Sequence, residues 1–363
     1  MNKFFKWLAF LCLFLIMASL IIMWHLSPIL NPFPIPNGPY AVGITTQEYT
    51  DAQRLDIHPN TPFARRTFVV DYYYPTRAVE KATQYPYRPA FIAALKNEHA
   101  HDCFVSKFLW NRFLSGITSY AGSDVSIDVG NYPIILFVPG IGSDAMYSVY
   151  LEELASQGYI IAVLNPTHDI KNTIFTNGTV IGLDKNFTQA IAQADRTKIY
   201  NYRAQAHHEW LADLNFMVEK IKEHNKDPYS MFYQKIDIDR LGVLGHSHGG
   251  AVAIDFCKSN PACKAGINMD GWTKTANTTQ GFNKPFLFLL TPDLGIADID
   301  VLLKNLGAYG HKTIIANAGH GAFSDLILLK QPLRYALKVN KGNSQAVAHE
   351  IQKDIKHFFD VHI

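Results

Sequence analysis

The pentapeptide Gly245-His-Ser-His-Gly249 has the residue types and spacing for covalent chemistry. It fits the pattern G-x-S-x-G, in which flanking glycines let a strand turn sharply into a helix and push a serine hydroxyl out at the corner. Here that serine is Ser247. A serine hydroxyl is a weak nucleophile until a base takes its proton, and the base needs a carboxylate to orient it. His320, in the glycine-flanked turn Asn317-Ala-Gly-His-Gly321, is the candidate base. Two acids compete for the orienting role: Asp270 after the apolar run 265–269, and Asp293 after the run 286–290. The oxyanion formed by attack on a carbonyl needs two N–H donors. The amide of His248, directly after the serine, is one candidate, and that of Ile141 in Val138-Pro-Gly-Ile-Gly142 is the other. Together these residues point to ester hydrolysis through an acyl-serine. His246 and His248 sit on either side of a tight corner and diverge, and no Cys or carboxylate cluster completes a ligand set, so no metal is expected there. His207, His208, His349, His357 and His362 fall on helical patterns and are expected to face solvent.

Such a corner works only if a strand precedes it and a helix follows. The run 241–245 is a strand pattern, and Gly250-Ala-Val-Ala-Ile-Asp-Phe-Cys257 is a helix with a small-residue face. Further strand patterns occupy 67–73, 134–138, 159–164, 265–269, 286–290 and 313–316. Between them lie helical periodicities, as in Trp210, Leu211, Leu214, Met217, Val218 and Ile221, and in Val347, Ile351, Ile355, Phe358 and Phe359. Alternating continuous apolar strands and helices mean a mostly parallel sheet covered on both faces, an α/β class. Residues 75–131 are aromatic-rich, with Phe104, Phe108, Trp110 and Phe113, and read as a helical insertion that leaves the sheet.

The chain of 363 residues, 48% hydrophobic and 18% charged, is long enough for one large core without staples. Lys+Arg number 33 against 31 Asp+Glu, and Lys3 and Lys6 account for the excess, so no basic stripe for nucleic acid is indicated. The run Trp7–Leu26 has no fixed charge and, at 1.5 Å per residue, is about as long as a bilayer core is thick. It is longer than a signal h-region and lacks a clean cleavage pair, which favours a retained anchor over a cleaved signal peptide. Lys3 and Lys6 precede it and no Lys or Arg follows before Arg54, so the rest of the chain is expected outside the cytoplasm, or secreted if the segment is removed. The resulting plan is 1–26 membrane helix, 27–38 proline-rich spacer and 39–363 the domain with the serine. Cys257 and Cys263 could pair in an oxidising compartment or remain two thiols. Neither GIG nor GHG continues into a dinucleotide or P-loop pattern, so no nucleotide cofactor is expected.

Four stretches in order resemble the plasma and intracellular type-II platelet-activating factor acetylhydrolases, also called lipoprotein-associated phospholipases, and their bacterial relatives. Pro39-Tyr-Ala-Val-Gly43 with Asp51 and Arg54 is similar to the family's opening segment, and Tyr132-Pro-Ile-Ile-Leu-Phe-Val-Pro-Gly-Ile-Gly142 to its oxyanion strand and loop. Gly245–Gly250 is similar to its serine elbow, Lys264-Ala-Gly-Ile-Asn-Met-Asp-Gly-Trp272 to its aspartate segment, and His320-Gly-Ala-Phe-Ser-Asp325 to its histidine motif. The resemblance implies an α/β-hydrolase fold and a Ser247–His320–Asp270 triad with Ile141 and His248 amides at the oxyanion. It also implies a phospholipid or similar ester as substrate and no cofactor, metal or calcium; the membrane as a partner is expected from the Trp7–Leu26 run. Two positions depart from the family: His248 stands where an aromatic is usual, and Val138-Pro139-Gly140 where S-H-G is usual. The alternatives are a general lipase or polyester hydrolase that uses Asp293, and a hydrolase-fold binding protein without catalysis.

Overall fold

A computed structural model describes residues 3–26, 29–58, 61–98, 104–144, 146–276, 278–294, 297–331 and 333–363. Nine strands form the central sheet: β1 (Ala41–Leu55), β2 (Arg65–Thr76), β3 (Ala121–Ser123), β4 (Tyr132–Val138), β5 (Ile160–Asn165), β6 (Ile236–His246), β7 (Cys263–Met269), β8 (Phe286–Leu290) and β9 (Gly310–Ile314). Their spatial order is β9-β8-β7-β6-β4-β5-β2-β1-β3. Only β1–β2 and β2–β5 run antiparallel, and the other pairings are parallel. This is the expected α/β-hydrolase architecture.

Helices cover both faces because the middle strands are apolar on both. In β4, Ile134, Leu136 and Val138 face one core with Trp210, Leu214 and Met217, while Ile135 and Phe137 face the other with Leu151, Leu154 and Phe359. The first face carries α6 (Arg196–Lys226), α7 (His248–Ser259) and α8 (Ala297–Leu306), counted after α1 (Lys3–Leu26), α2 (Pro89–Glu98), α3 (Phe104–Leu114), α4 (Ser148–Ser156) and α5 (Lys185–Ala192). The second face carries α4 and the C-terminal α9 (Ser344–His362). A disulfide between Cys257 and Cys263, with Cα atoms 5.1 Å apart, closes the turn from α7 into β7.

Several expectations change. The strand β1 carries Thr46, Gln47, Glu48 and Asp51 among its residues, so it lacks the continuous apolar run that marks the central strands, yet it pairs along β2. The last strand, expected at 313–316, lies earlier, at Gly310–Ile314, where it pairs with β8. Residues 75–131 include the helices α2 and α3, but the chain re-enters the sheet as β3 against β1. Phe108 is exposed there, and the side chains of Trp110 and Phe113 lie outside the described residues. The proline-rich stretch is no free spacer. Leu30 and Phe33 are buried, Asn31 N–H donates to the Leu328 carbonyl at 2.7 Å, and Gly38 N–H donates to Ser156 Oγ at 3.0 Å. Two apolar side chains with a ready pocket outweigh the stiffness of the prolines. By contrast, residues 5–22 of α1 are apolar apart from Lys6 and are unburied, and the helix is long and apolar enough to cross a membrane.

Glu152 on α4 is buried under the β1–β2 side of the sheet, where it accepts from the Tyr120 N–H at 3.0 Å. Burial pushes its carboxyl up to about 8, against the lowering effect of that N–H. Between the ordinary glutamate value and 8 the folded state holds a proton the unfolded chain has lost, so stability falls as pH rises through that window. Glu152→Gln removes the term. Its melting temperature is expected to drop less than wild type between pH 5 and pH 8, with a difference of up to about 1.4 kcal/mol per pH unit. Parallel pH slopes for the two proteins would refute this.

Candidate active site

The corner after β6 is held by close backbone contact. Ser247 adopts φ 56°, ψ −120°, a conformation costly for a residue with a side chain. The surrounding chain enforces it. A Cβ on Gly245 would lie 2.1 Å from the Gly249 carbonyl oxygen, and one on Gly249 would lie 2.2 Å from that of Val138. Glycine alone fits both places, so the turn packs against the end of β4 and the serine side chain has only the pocket to enter.

His320 follows β9 on a short 3-10 turn, and its Nε2 lies 3.0 Å from Ser247 Oγ. Its Nδ1 lies 2.7 Å from Asp270 Oδ2, at the end of β7. The other carboxylate oxygen of Asp270 accepts from Thr291 N–H and Thr291 Oγ1, both at 2.8 Å. Burial alone would raise the Asp270 carboxyl; the bonds from His320 and Thr291 outweigh it and hold the group below the usual carboxylate range. Asp293 lines the same cavity, and among the described residues no hydrogen bond joins it to His320. The structure therefore brings Ser247, His320 and Asp270 into one hydrogen-bonded row.

The loop after β4 faces the same serine. Gly140 N–H donates to Tyr147 Oη at 2.9 Å, and Gly142 N–H donates to the Asp169 carbonyl at 2.7 Å. Between them, no acceptor among the described residues meets the Ile141 N–H. The His248 N–H, first in α7, likewise has no acceptor there, as expected of a helix N-terminus. Both Ile141 and His248 line the cavity of about 1100 Å³ that opens over Ser247.

Three supporting groups were not legible as such. His246 is buried and its imidazole is pushed down to about 3, first by burial and then by the neighbouring His320. It is therefore neutral. Its Nε2 donates to the His320 carbonyl at 3.1 Å, which leaves Nδ1 to accept from Tyr147 Oη at 3.0 Å. One imidazole thus ties the histidine turn to the loop of Ile141. Asp325, also buried, accepts from Ser148 N–H at 3.0 Å, Val149 N–H at 2.8 Å and Tyr87 Oη at 2.8 Å, fixing the same turn to the start of α4. Its place in the histidine motif was a signal; Tyr147 gave none. His207 is the one correction among the helical histidines expected in solvent that reaches full burial. It lies under α7 and bonds Asp255 at 2.9 Å, because its face of α6 packs on that helix. His248 is buried as well, edge-on to Trp210 at 4.9 Å.

Among the described residues, one group holds metal-type donors within 4.8 Å of one another: His58, Asp169 and Glu209. It shares no residue with the Ser247 row, and the Arg66 guanidinium stands 3.7 Å from Glu209, so positive charge is already supplied there.

Residues 30–356 match the sequence profile described as platelet-activating factor acetylhydrolase, isoform II. A probable 1-alkyl-2-acetylglycerophosphocholine esterase of Arthroderma benhamiae is 25% identical over 268 residues, covering 69% of this chain and 62% of the fungal one. A platelet-activating factor acetylhydrolase of Gallus gallus is 22% identical over 187 residues, 45% of this chain and 44% of its own. These matches thus span less than two thirds of either relative's length. A ferulic acid esterase from Streptomyces cinnamoneus superposes with a TM-score of 0.71 at 21% identity, covering 92% of this chain and 93% of that one. That likeness bears on the fold alone. With the profile matched across most of its length, the chain belongs to the platelet-activating factor acetylhydrolase, isoform II, family.

Proposed function

We propose that this protein is a serine carboxylic-ester hydrolase that cleaves short or oxidised acyl chains from phospholipids or similar esters. The observation that carries the reading is the row Asp270–His320–Ser247, with separations of 2.7 and 3.0 Å. Ser247 Oγ attacks the ester carbonyl while His320 Nε2 takes its proton. Asp270 keeps the imidazole in the tautomer whose Nε2 can accept, and stabilises the imidazolium that forms. The N–H groups of Ile141 and His248 receive the oxyanion, and His320 returns the proton to the departing alcohol. Water then repeats the sequence on the acyl-serine. The names of the fungal and avian relatives support the ester class.

The apolar α1 and the flanking Lys3 and Lys6 support an anchor with the catalytic domain outside the cytoplasm. The Cys257–Cys263 disulfide fits that side, since such bonds persist in oxidising compartments.

Two outcomes are expected. On a soluble ester, Asp270→Asn should lower turnover on the order of 10⁴-fold with the fold intact, whereas Asp293→Asn should cost less than about tenfold. The reverse ranking would move the acid to Asp293 and overturn the assignment. In sealed cells, protease added outside should remove the domain while a tag at the N-terminus survives; an intact domain that becomes cleavable only after lysis would put it in the cytosol.

A further inference from the structure

The cavity over Ser247 is unevenly charged. Arg196, Arg203, Lys274 and Lys338 line it, against one carboxylate, Asp293, that is not already bound to His320. For a chain whose charges nearly balance, this is a local concentration. The four come from separate places: two from α6, one from the segment after Asp270, one from beyond the His320 turn. On α6, Arg196 and Arg203 share a stripe with Ile199 and Tyr200, spaced so that all four face the cavity. Among the described residues none of the four cations makes an ion pair. Arg203 is the least exposed of the four: its Nε is buried with no hydrogen-bond partner among the described residues, and its guanidinium carbon stands 4.7 Å over the Trp272 ring.

An unpaired, part-buried guanidinium is costly unless something anionic completes it. Arg203 already covers one face of Trp272, and a quaternary ammonium beside that ring would meet Arg203 and the three other cations that line the cavity. The wall therefore opposes a cationic headgroup and suits a phosphate or carboxylate, which a guanidinium binds with two parallel hydrogen bonds. We propose that the site selects esters bearing an uncompensated negative charge, held by Arg203 with Arg196, Lys274 and Lys338 around it. The inference rests on the hydrolase reading for turnover and concerns which esters are turned over. The anion has two possible sources, a lipid phosphate or a carboxylate at the far end of the acyl chain.

The test uses the full chain in neutral detergent and compares kcat/KM across matched esters. The soluble arm is p-nitrophenyl butyrate, the p-nitrophenyl half-ester of glutarate, and a trimethylammonio-butyrate analogue. The lipid arm is dihexanoyl phosphatidylglycerol against dihexanoyl phosphatidylcholine. An anionic preference of at least about tenfold is expected in one arm or both, carried mainly by KM and shrinking as NaCl rises. Preference in the soluble arm identifies the acyl carboxylate, and preference in the lipid arm identifies the phosphate. Arg203→Gln should reduce the anionic-to-neutral ratio several-fold, and Lys274→Gln with Lys338→Gln should reduce it further. Ratios near one in both arms, or a ratio unmoved by these substitutions, overturn the proposal. Binding is read separately: glutarate and sn-glycerol 3-phosphate should raise the melting temperature of wild type more than that of Arg203→Gln. If no ester is cleaved, the hydrolase reading falls, while equal melting shifts in the two proteins would reject anion selection.

Discussion

The left-handed backbone at Ser247 is the constraint on which the rest depends. A residue with a side chain held at φ 56° stores strain of order 1–3 kcal/mol, and it stays there only if its neighbours leave no alternative. Here the neighbours are backbone atoms of the corner itself and of the end of β4, so the geometry of the serine is tied to the central sheet. Asp270 has a positive φ of its own, 49°, at the matching end of β7, and Ser247 N–H donates to the Met269 carbonyl next to it at 3.0 Å. Serine and aspartate are thus positioned by one pair of parallel strands, and the histidine is brought to them from two strands further along.

Buried polar groups do the remaining positioning. His246, Tyr147 and Gly140 form a chain of hydrogen bonds between the histidine turn and the loop of Ile141, and Asp325 ties the same turn to α4. Groups so buried are expensive when charged, which is why His246 is kept neutral and the Asp325 carboxyl is pushed up to about 6 by burial. A neutral His246 bonded through both ring nitrogens gives rigidity at little electrostatic cost, and three donors meet the Asp325 carboxyl. The cavity wall is the opposite case, where among the described residues Arg203 and its neighbouring cations make no ion pair beside the serine.

The reach of the sequence follows from these physical differences. Central strands such as β4 and β8 were legible because both faces are covered and their residues are continuously apolar. The strand β1 was not, since it mixes polar with apolar residues and owes its place to its long pairing with β2. Ser247 and Asp270 stood out because each directly follows a recognisable strand, and His320 because it sits in a glycine-flanked turn after one. Between Asp270 and Asp293 the residues alone left the choice open, because both end strands and the spatial neighbour of His320 is a tertiary fact. The docking of Leu30 and Phe33, the burial of His207 and the pairing of Cys257 with Cys263 are tertiary in the same sense. Arg203 and Trp272 are far apart in the chain, and no local pattern announces that they meet.

The central claim is that the fold delivers one activated serine. The most direct measurement is reaction of the native chain with a fluorophosphonate, followed by intact mass and peptide mapping. The account predicts one phosphonyl group per chain, on Ser247, absent from the Ser247→Ala protein and from chain unfolded before exposure. A native chain that takes no label, or a label on another serine that persists in Ser247→Ala, would contradict it.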